Sequence, residues 1–160
     1  MEKVIELFKD ALKHEVKSSV FYKNAAETTT IDDSRMLLLE LCTEEEDHTR
    51  HIIEKTKNFP SLKGFDAAGY LKELESDMEN IVSTDELETV KSGSMRDVLK
   101  LAVYIEENAV NKYKELAEHA GDEETKNFCL KLVDEEKKHL NSTTRMLESL
   151  DMDEEDRPAL

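Results

Sequence analysis

The sequence predicts an all-α fold: a four-helix bundle made of two antiparallel helical hairpins joined by a long, partly helical crossover. Three observations predict it. The composition is helical, with 4 Gly, 2 Pro, no Trp and 38% charged residues in 160. Apolar residues recur every three or four positions through four long stretches. Short cap-bearing breaks separate the first stretch from the second and the third from the fourth, whereas a long segment separates the second from the third.

The first helix is expected from about residue 3 to 28 and the second from about 32 to 57, with "ETTTIDDS" supplying Ser, Thr and Asp as caps between them. The crossover, about 58–94, contains shorter amphipathic pieces, notably "DAAGYLKELESDMENI". A helix of ~26 residues is roughly 39 Å long at ~1.5 Å per residue, so a connection of this size can return along the bundle. "SGSMRD" opens the third helix, about 95–119, with Ser94 at the N-cap and Asp97 three residues on. "HAGDEE" gives a Gly stop and an Asp start before the fourth helix, about 122–150. Residues 1–150 form one domain on this reading, and the acidic segment 151–160, "DMDEEDRPAL", is a solvated tail.

The formal net charge of -16 argues against nucleic acid or anionic membranes as partners and is compatible with attracting cations. No apolar run approaches the ~20 residues of a membrane span. The opening "MEKVIELFKDALKHE" is broken by acids, unlike a signal peptide. Cys42 and Cys129 stand apart with no Cys-x-x-Cys, which fits a reducing cytoplasm.

One polar phrase is written twice. "EEEDH" carries Glu45 and His48, and "EEKKH" carries Glu136 and His139. Glu15 precedes Tyr22 by seven residues, as Glu106 precedes Tyr113. The offset is 91 throughout: 15 to 106, 22 to 113, 45 to 136 and 48 to 139. This is the signature of a duplicated helical hairpin. Residues equidistant from an antiparallel turn share a height. Thr30 is midway between 15 and 45, and Gly121 between 106 and 136, so Glu15 faces Glu45 and Glu106 faces Glu136. Leu38, Leu41, Glu45, His48 and Ile52 make one helical stripe; Leu99, Ala102, Glu106, Ala109 and Tyr113 make another. The acids therefore sit in inward rows.

Four bare carboxylates inside a bundle would cost several kcal/mol each. Two divalent cations cancel their charge, and two neutral imidazoles complete a ligand set suited to iron or manganese. One Glu from each of two helices plus Glu-x-x-His from the other two is a di-metal carboxylate arrangement.

On "EVKSSVFY", "EEEDH", "EENAVNKY" and "EEKKH" the chain resembles the ferritin-like di-iron proteins, and within them the rubrerythrins, across all four long helices. The resemblance implies a ferritin-like four-helix bundle with Glu15, Glu45, His48, Glu106, Glu136 and His139 as metal ligands. It implies that carboxylates of the Glu45 or Glu106 type would bridge, and leaves open which. It implies that Tyr22 and Tyr113 hydrogen-bond ligand carboxylates across the bundle, and that Glu44 and Glu135 each orient a histidine of the other half. His14, His51 and His119 have no mate in the repeat and read as surface residues. Two ions per site, iron first and manganese or a mixed pair after it, would serve a di-iron oxidoreductase reducing hydrogen peroxide or dioxygen. The Glu one helical step after the third-helix ligand in rubrerythrins is Ala109 here. No Cys-rich iron domain accompanies the bundle, so electrons are expected from a separate rubredoxin-type donor, and a homodimer is expected from likeness. The alternatives are a ferroxidase or iron-handling protein, a di-manganese catalase, a di-iron hydroxylase, and a helical interaction protein without metal.

Overall fold

Four long helices carry the apolar stripes inward, as their periodicity requires. The computed structural model describes residues 2–82 and 84–156. The long helices are α1 (Glu2–Thr28), α2 (Asp32–Thr56), α6 (Met95–His119) and α7 (Glu123–Asp156). The crossover holds a 3-10 turn at Pro60–Leu62 and three short helices, α3 (Ala67–Ser76), α4 (Met78–Ile81) and α5 (Thr84–Ser92). There is no strand among the described residues. The fold is an all-α ferritin-like bundle.

Each hairpin packs most extensively on itself, α1 on α2 and α6 on α7, and the hairpins meet chiefly along α1 and α6. The crossover leans on α1, through α3 and α5, while α2 and α7 make only sparse contact. Two apolar clusters fill the interior. One gathers Phe8, Leu12, Ile52, Leu116 and Leu132; the other gathers Phe21, Leu38, Leu41, Val98 and Ile105. Between them lie the buried polar residues Glu15, Glu45, His48 and Glu106, joined by Glu136 and His139 of α7, and that interval is the site described below.

The termini follow local chemistry, with differences from expectation. Ser94 and Asp97 form the expected capping box at α6: the Ser94 hydroxyl accepts from the Asp97 amide at 3.2 Å and the Asp97 carboxylate from the Ser94 amide at 3.2 Å. The N-cap of α2 is Ile31, which has no side-chain oxygen to offer. The neighbouring Thr29 works on the turn instead, its hydroxyl accepting from the Ile31 amide at 3.2 Å and its carbonyl from Arg35 Nη2 at 2.7 Å. Gly121 is not a left-handed helix stop, because α6 ends where Ala120 turns extended at φ -63 and ψ 128. Gly121 is small for another reason: a Cβ there would lie 3.2 Å from Ser61 Oγ, where the crossover crosses the α6–α7 turn. The left-handed glycine is Gly64, with φ 88, just after the 3-10 turn. Helix α7 continues past residue 150 to Asp156, and Asp151 pairs with Arg96 of α6 at 3.0 Å. The last four positions of the expected tail, 157–160, lie outside the described residues.

Among the described residues no helix is long and apolar enough to cross a membrane. Cys42 and Cys129 are free and buried. Burial pushes their thiols up to about 11 and about 12, so neither is a thiolate at neutral pH.

Candidate metal centre

Glu15, Glu45, Glu106 and Glu136 are all within 1% of complete burial, and His48 and His139 are buried beside them. The structure brings all six predicted ligands into one box halfway along the bundle. Their ligand atoms fall into two groups, each within 4.8 Å: Glu15, Glu45, His48 and Glu136 in one, and Glu45, Glu106, Glu136 and His139 in the other. Glu45 and Glu136 belong to both. Of the two bridging candidates from the resemblance, Glu45 is shared, whereas Glu106 belongs to one group only and Glu136 takes the second shared place, because its carboxylate lies within reach of both histidines.

The 91-residue offset is realised as a two-fold relation in space. His48 points Nδ1 at Glu136 at 2.9 Å, and His139 points Nδ1 at Glu45 at 2.9 Å. Each Nδ1 lies farther from the carboxylate on the flanking helix, 3.6 Å to Glu15 for His48 and 3.7 Å to Glu106 for His139. The outer nitrogens face the other way. His48 Nε2 is 2.8 Å from Glu135 and His139 Nε2 is 2.5 Å from Glu44. Glu44 and Glu135 thus each lie against the outer nitrogen of a ring of the other hairpin, the places the resemblance implied for them, and leave each Nδ1 directed at the inner carboxylates, where it would offer its lone pair to a cation once deprotonated. Tyr22 donates to Glu106 and Tyr113 to Glu15, each link crossing from one hairpin to the other.

Whether this box fits cations is decided by its loose ends. Glu15 Oε2, Glu45 Oε2 and Glu106 Oε2 are buried with no hydrogen-bond partner, and Glu136 Oε1 and His48 Nδ1 face only each other, 2.9 Å apart. Unsatisfied buried groups are costly and rare. Three unpartnered carboxylate oxygens, all from the six-residue set, fit a site for positive ions: oxygen-rich, with one nitrogen per side, the donor set that suits iron or manganese.

A profile of the rubrerythrin family matches residues 6–147, most of the chain and all the bundle helices. This chain belongs to the rubrerythrin family. No curated protein and no solved structure matches it. The family match and the buried box agree on a di-metal protein.

In this rubrerythrin-family bundle, protons do the neutralising wherever cations do not. Burial raises the Glu45 carboxyl well above its ordinary value, and the neighbouring Glu15 adds to the rise. Burial and the charge of Glu15 push Glu136 up to about 8, with hydrogen bonds from His139 and His48 pulling the other way. Burial acts upward on Glu15 too, but hydrogen bonds from Glu45 and His48 outweigh it and hold Glu15 down to about 2. Burial works against both imidazolium forms. In His48 the carboxylates of Glu135, Glu136 and Glu15 prevail and raise the pKa strongly; in His139, Glu106 and Glu136 raise it to about 11. Cations and protons are alternative occupants of one anionic box.

Ala109, one helical step beyond Glu106, is buried where rubrerythrins carry a further Glu. Its two-fold mate is Ser18, whose hydroxyl donates to the His14 carbonyl at 2.7 Å. Of the three histidines read as surface residues, His51 and His119 are exposed. His14 is not: it lies in the α1–α6 contact, its Nε2 buried without a partner, and burial lowers its pKa. Its position in the row Ala11, His14, Ser18, which faces α6 at spacings of three and four, was the available signal.

Proposed function

We propose that this chain is a di-iron oxidoreductase of the rubrerythrin type, reducing hydrogen peroxide or dioxygen with electrons from a separate rubredoxin-type donor. The observation that carries this reading is the pair of overlapping ligand groups sharing Glu45 and Glu136. When bound, an iron pair would supply the two electrons that cleave a peroxide O–O bond, two protons from solvent would complete two waters, and two electrons from the donor would restore the reduced metal. The chain's own part is positional. Glu15 with His48, and Glu106 with His139, would complete the two ends of the site, and Glu45 and Glu136 would span it. Tyr22 and Tyr113 tether the end carboxylates, and Glu135 and Glu44 hold the imidazoles. The apolar clusters above and below exclude water, strengthening every electrostatic interaction between them. Two buried free cysteines suit the cytoplasm, and a homodimer is proposed on family likeness.

A second reading makes iron the substrate, as in a ferroxidase; the net charge of -16 and an acidic groove beside the site favour it. A hydroxylase is less well supported, because that groove mixes Leu37 and Leu41 with Glu40, Glu44, Asp47 and Glu135 and offers no purely apolar pocket for a substrate. Elemental analysis followed by a peroxide-consumption assay separates the readings. Two irons per chain with donor-dependent peroxide loss supports the oxidoreductase. Oxygen release without a donor would indicate a catalase. Iron oxidation with no donor-linked peroxide turnover, by a large shell on a sizing column, would replace the first reading with the second.

A further inference from the structure

A groove between α2 and α7 opens onto the candidate centre. It encloses about 350 Å3, and both centre histidines, His48 and His139, form part of its wall. Among the described residues the other flanks of the box are packed with side chains. Apolar clusters seal the box along the bundle axis. On the α1–α6 side Tyr22 and Tyr113 are fully buried, and the crossover covers α1. The sparse contact between α2 and α7 leaves one side of the bundle parted.

The mouth is acidic on balance, with Glu40, Glu44 and Asp47 from α2 and Glu135 from α7 set against Lys138. The two carboxylates nearest the centre are also the exposed partners of the rings: the side chain of Glu44 is 43% exposed and that of Glu135 33%. The rings stack with centroids 5.4 Å apart and planes inclined by 17°. They stand as two adjacent leaves between the groove and the four buried carboxylates, each latched on its outer nitrogen by one of these acids.

We propose that this groove is the passage by which divalent cations reach the centre, and that Glu44 and Glu135 are its docking carboxylates. The proposal rests on the metal-centre reading above. A negative mouth with low-dielectric walls concentrates cations before they bind. A cation held by Glu44 or Glu135 competes with the imidazole Nε2–H for the same oxygens, so docking unlatches the ring behind it. The ring turns aside, the cation moves inward to Glu45 and Glu136, and the vacated carboxylate takes back its hydrogen bond. The same residues thus attract the ion and open the way.

The test is stopped-flow uptake of Co(II) by the metal-free chain, followed by the visible absorption of the bound ion, with elemental analysis at saturating cobalt. Glu44→Gln with Glu135→Gln keeps an acceptor for each Nε2–H and removes both docking charges; uptake is expected to slow by about tenfold or more, with full final occupancy. Glu75→Gln with Glu79→Gln, the same charge change on an exposed stretch of the crossover, is expected to leave the rate unchanged. Ser142→Trp, which obstructs the groove without altering its charge, is expected to slow uptake as well. Wild-type rates in the Glu44/Glu135 or Ser142 variants, or equal slowing by the remote pair, would overturn the passage. Loss of final occupancy at saturating cobalt in the Glu44/Glu135 variant would also overturn it, since those acids would then serve the filled site, through the rings they hold or as ligands, and not its filling. Failure of the unmodified protein to take up cobalt at all would mark the metal-centre reading as the one at fault.

Discussion

Tyr22 of α1 donates its hydroxyl hydrogen bond to Glu106 of α6, joining the two hairpins at the polar centre of the bundle. Its mate, Tyr113 to Glu15, makes the same link in the opposite sense. Tyr22→Phe and Tyr113→Phe each keep the ring and strip a buried carboxylate of its donor. Such a loss costs about 1–3 kcal/mol, and denaturant melts of the metal-free chain should show it for both. Unchanged midpoints would reduce the two tyrosines to core filler.

The shared membership of Glu45 and Glu136 makes metal content a graded readout. Glu136→Ala removes a ligand from both groups and should leave almost no metal bound, as should Glu45→Ala. Glu15→Ala strikes only the group holding His48, and Glu106→Ala only the group holding His139. Each should retain about one ion per chain in elemental analysis, on the principle that an intact ligand set keeps its ion. Two ions per chain in Glu136→Ala would refute the assignment.

Much of this arrangement was legible in the sequence, because long amphipathic helices announce themselves and a duplication fixes register. The 91-residue offset and the midpoints at Thr30 and Gly121 were enough to place Glu15 against Glu45 and Glu106 against Glu136. What remained hidden depended on cross-chain geometry. Ile31 at an N-cap defies local preference because Thr29 and Arg35 serve the turn from outside it. Gly121 answers to Ser61, 60 residues away, which no local rule reveals. The choice of Glu45 and Glu136 as the shared pair follows from side-chain direction, and spacing along a helix does not carry that information.

Asp122 ties the crossover to the start of α7. Its carboxylate accepts from the Thr125 amide at 2.8 Å, three residues on, and from the Ser61 amide at 3.3 Å. Although desolvation acts upward, these bonds and the Ser61 and Thr125 hydroxyls hold its pKa below the ordinary value. A carboxyl lowered on folding contributes stability above its unfolded pKa and loses it as pH falls through the folded one. Asp122→Ala should therefore cost about 1 kcal/mol near neutral pH, or ~2–4 °C in Tm. The gap from wild type should close as pH drops below about 4. A gap that persists through thermal melts at acid pH would mean that the lost cap is not electrostatic.

Ala109 offers a test of how close the box stands to its electrostatic limit. It is buried on the same stripe of α6 as Glu106 and Tyr113, so Ala109→Glu introduces a fifth carboxylate beside four that already rely on protons or cations. Ala109→Gln adds nearly the same volume without the charge, and both variants carry the cost of overpacking. The metal-free Glu variant should melt below the Gln variant by an amount equivalent to about 1–3 kcal/mol, the cost of a buried polar group left poorly paired. Saturating Mn(II) should narrow that difference, because two divalent ions compensate added negative charge, whereas the shared steric cost stays. Equal losses in Glu and Gln, indifferent to metal, would assign the small residue at 109 to packing alone.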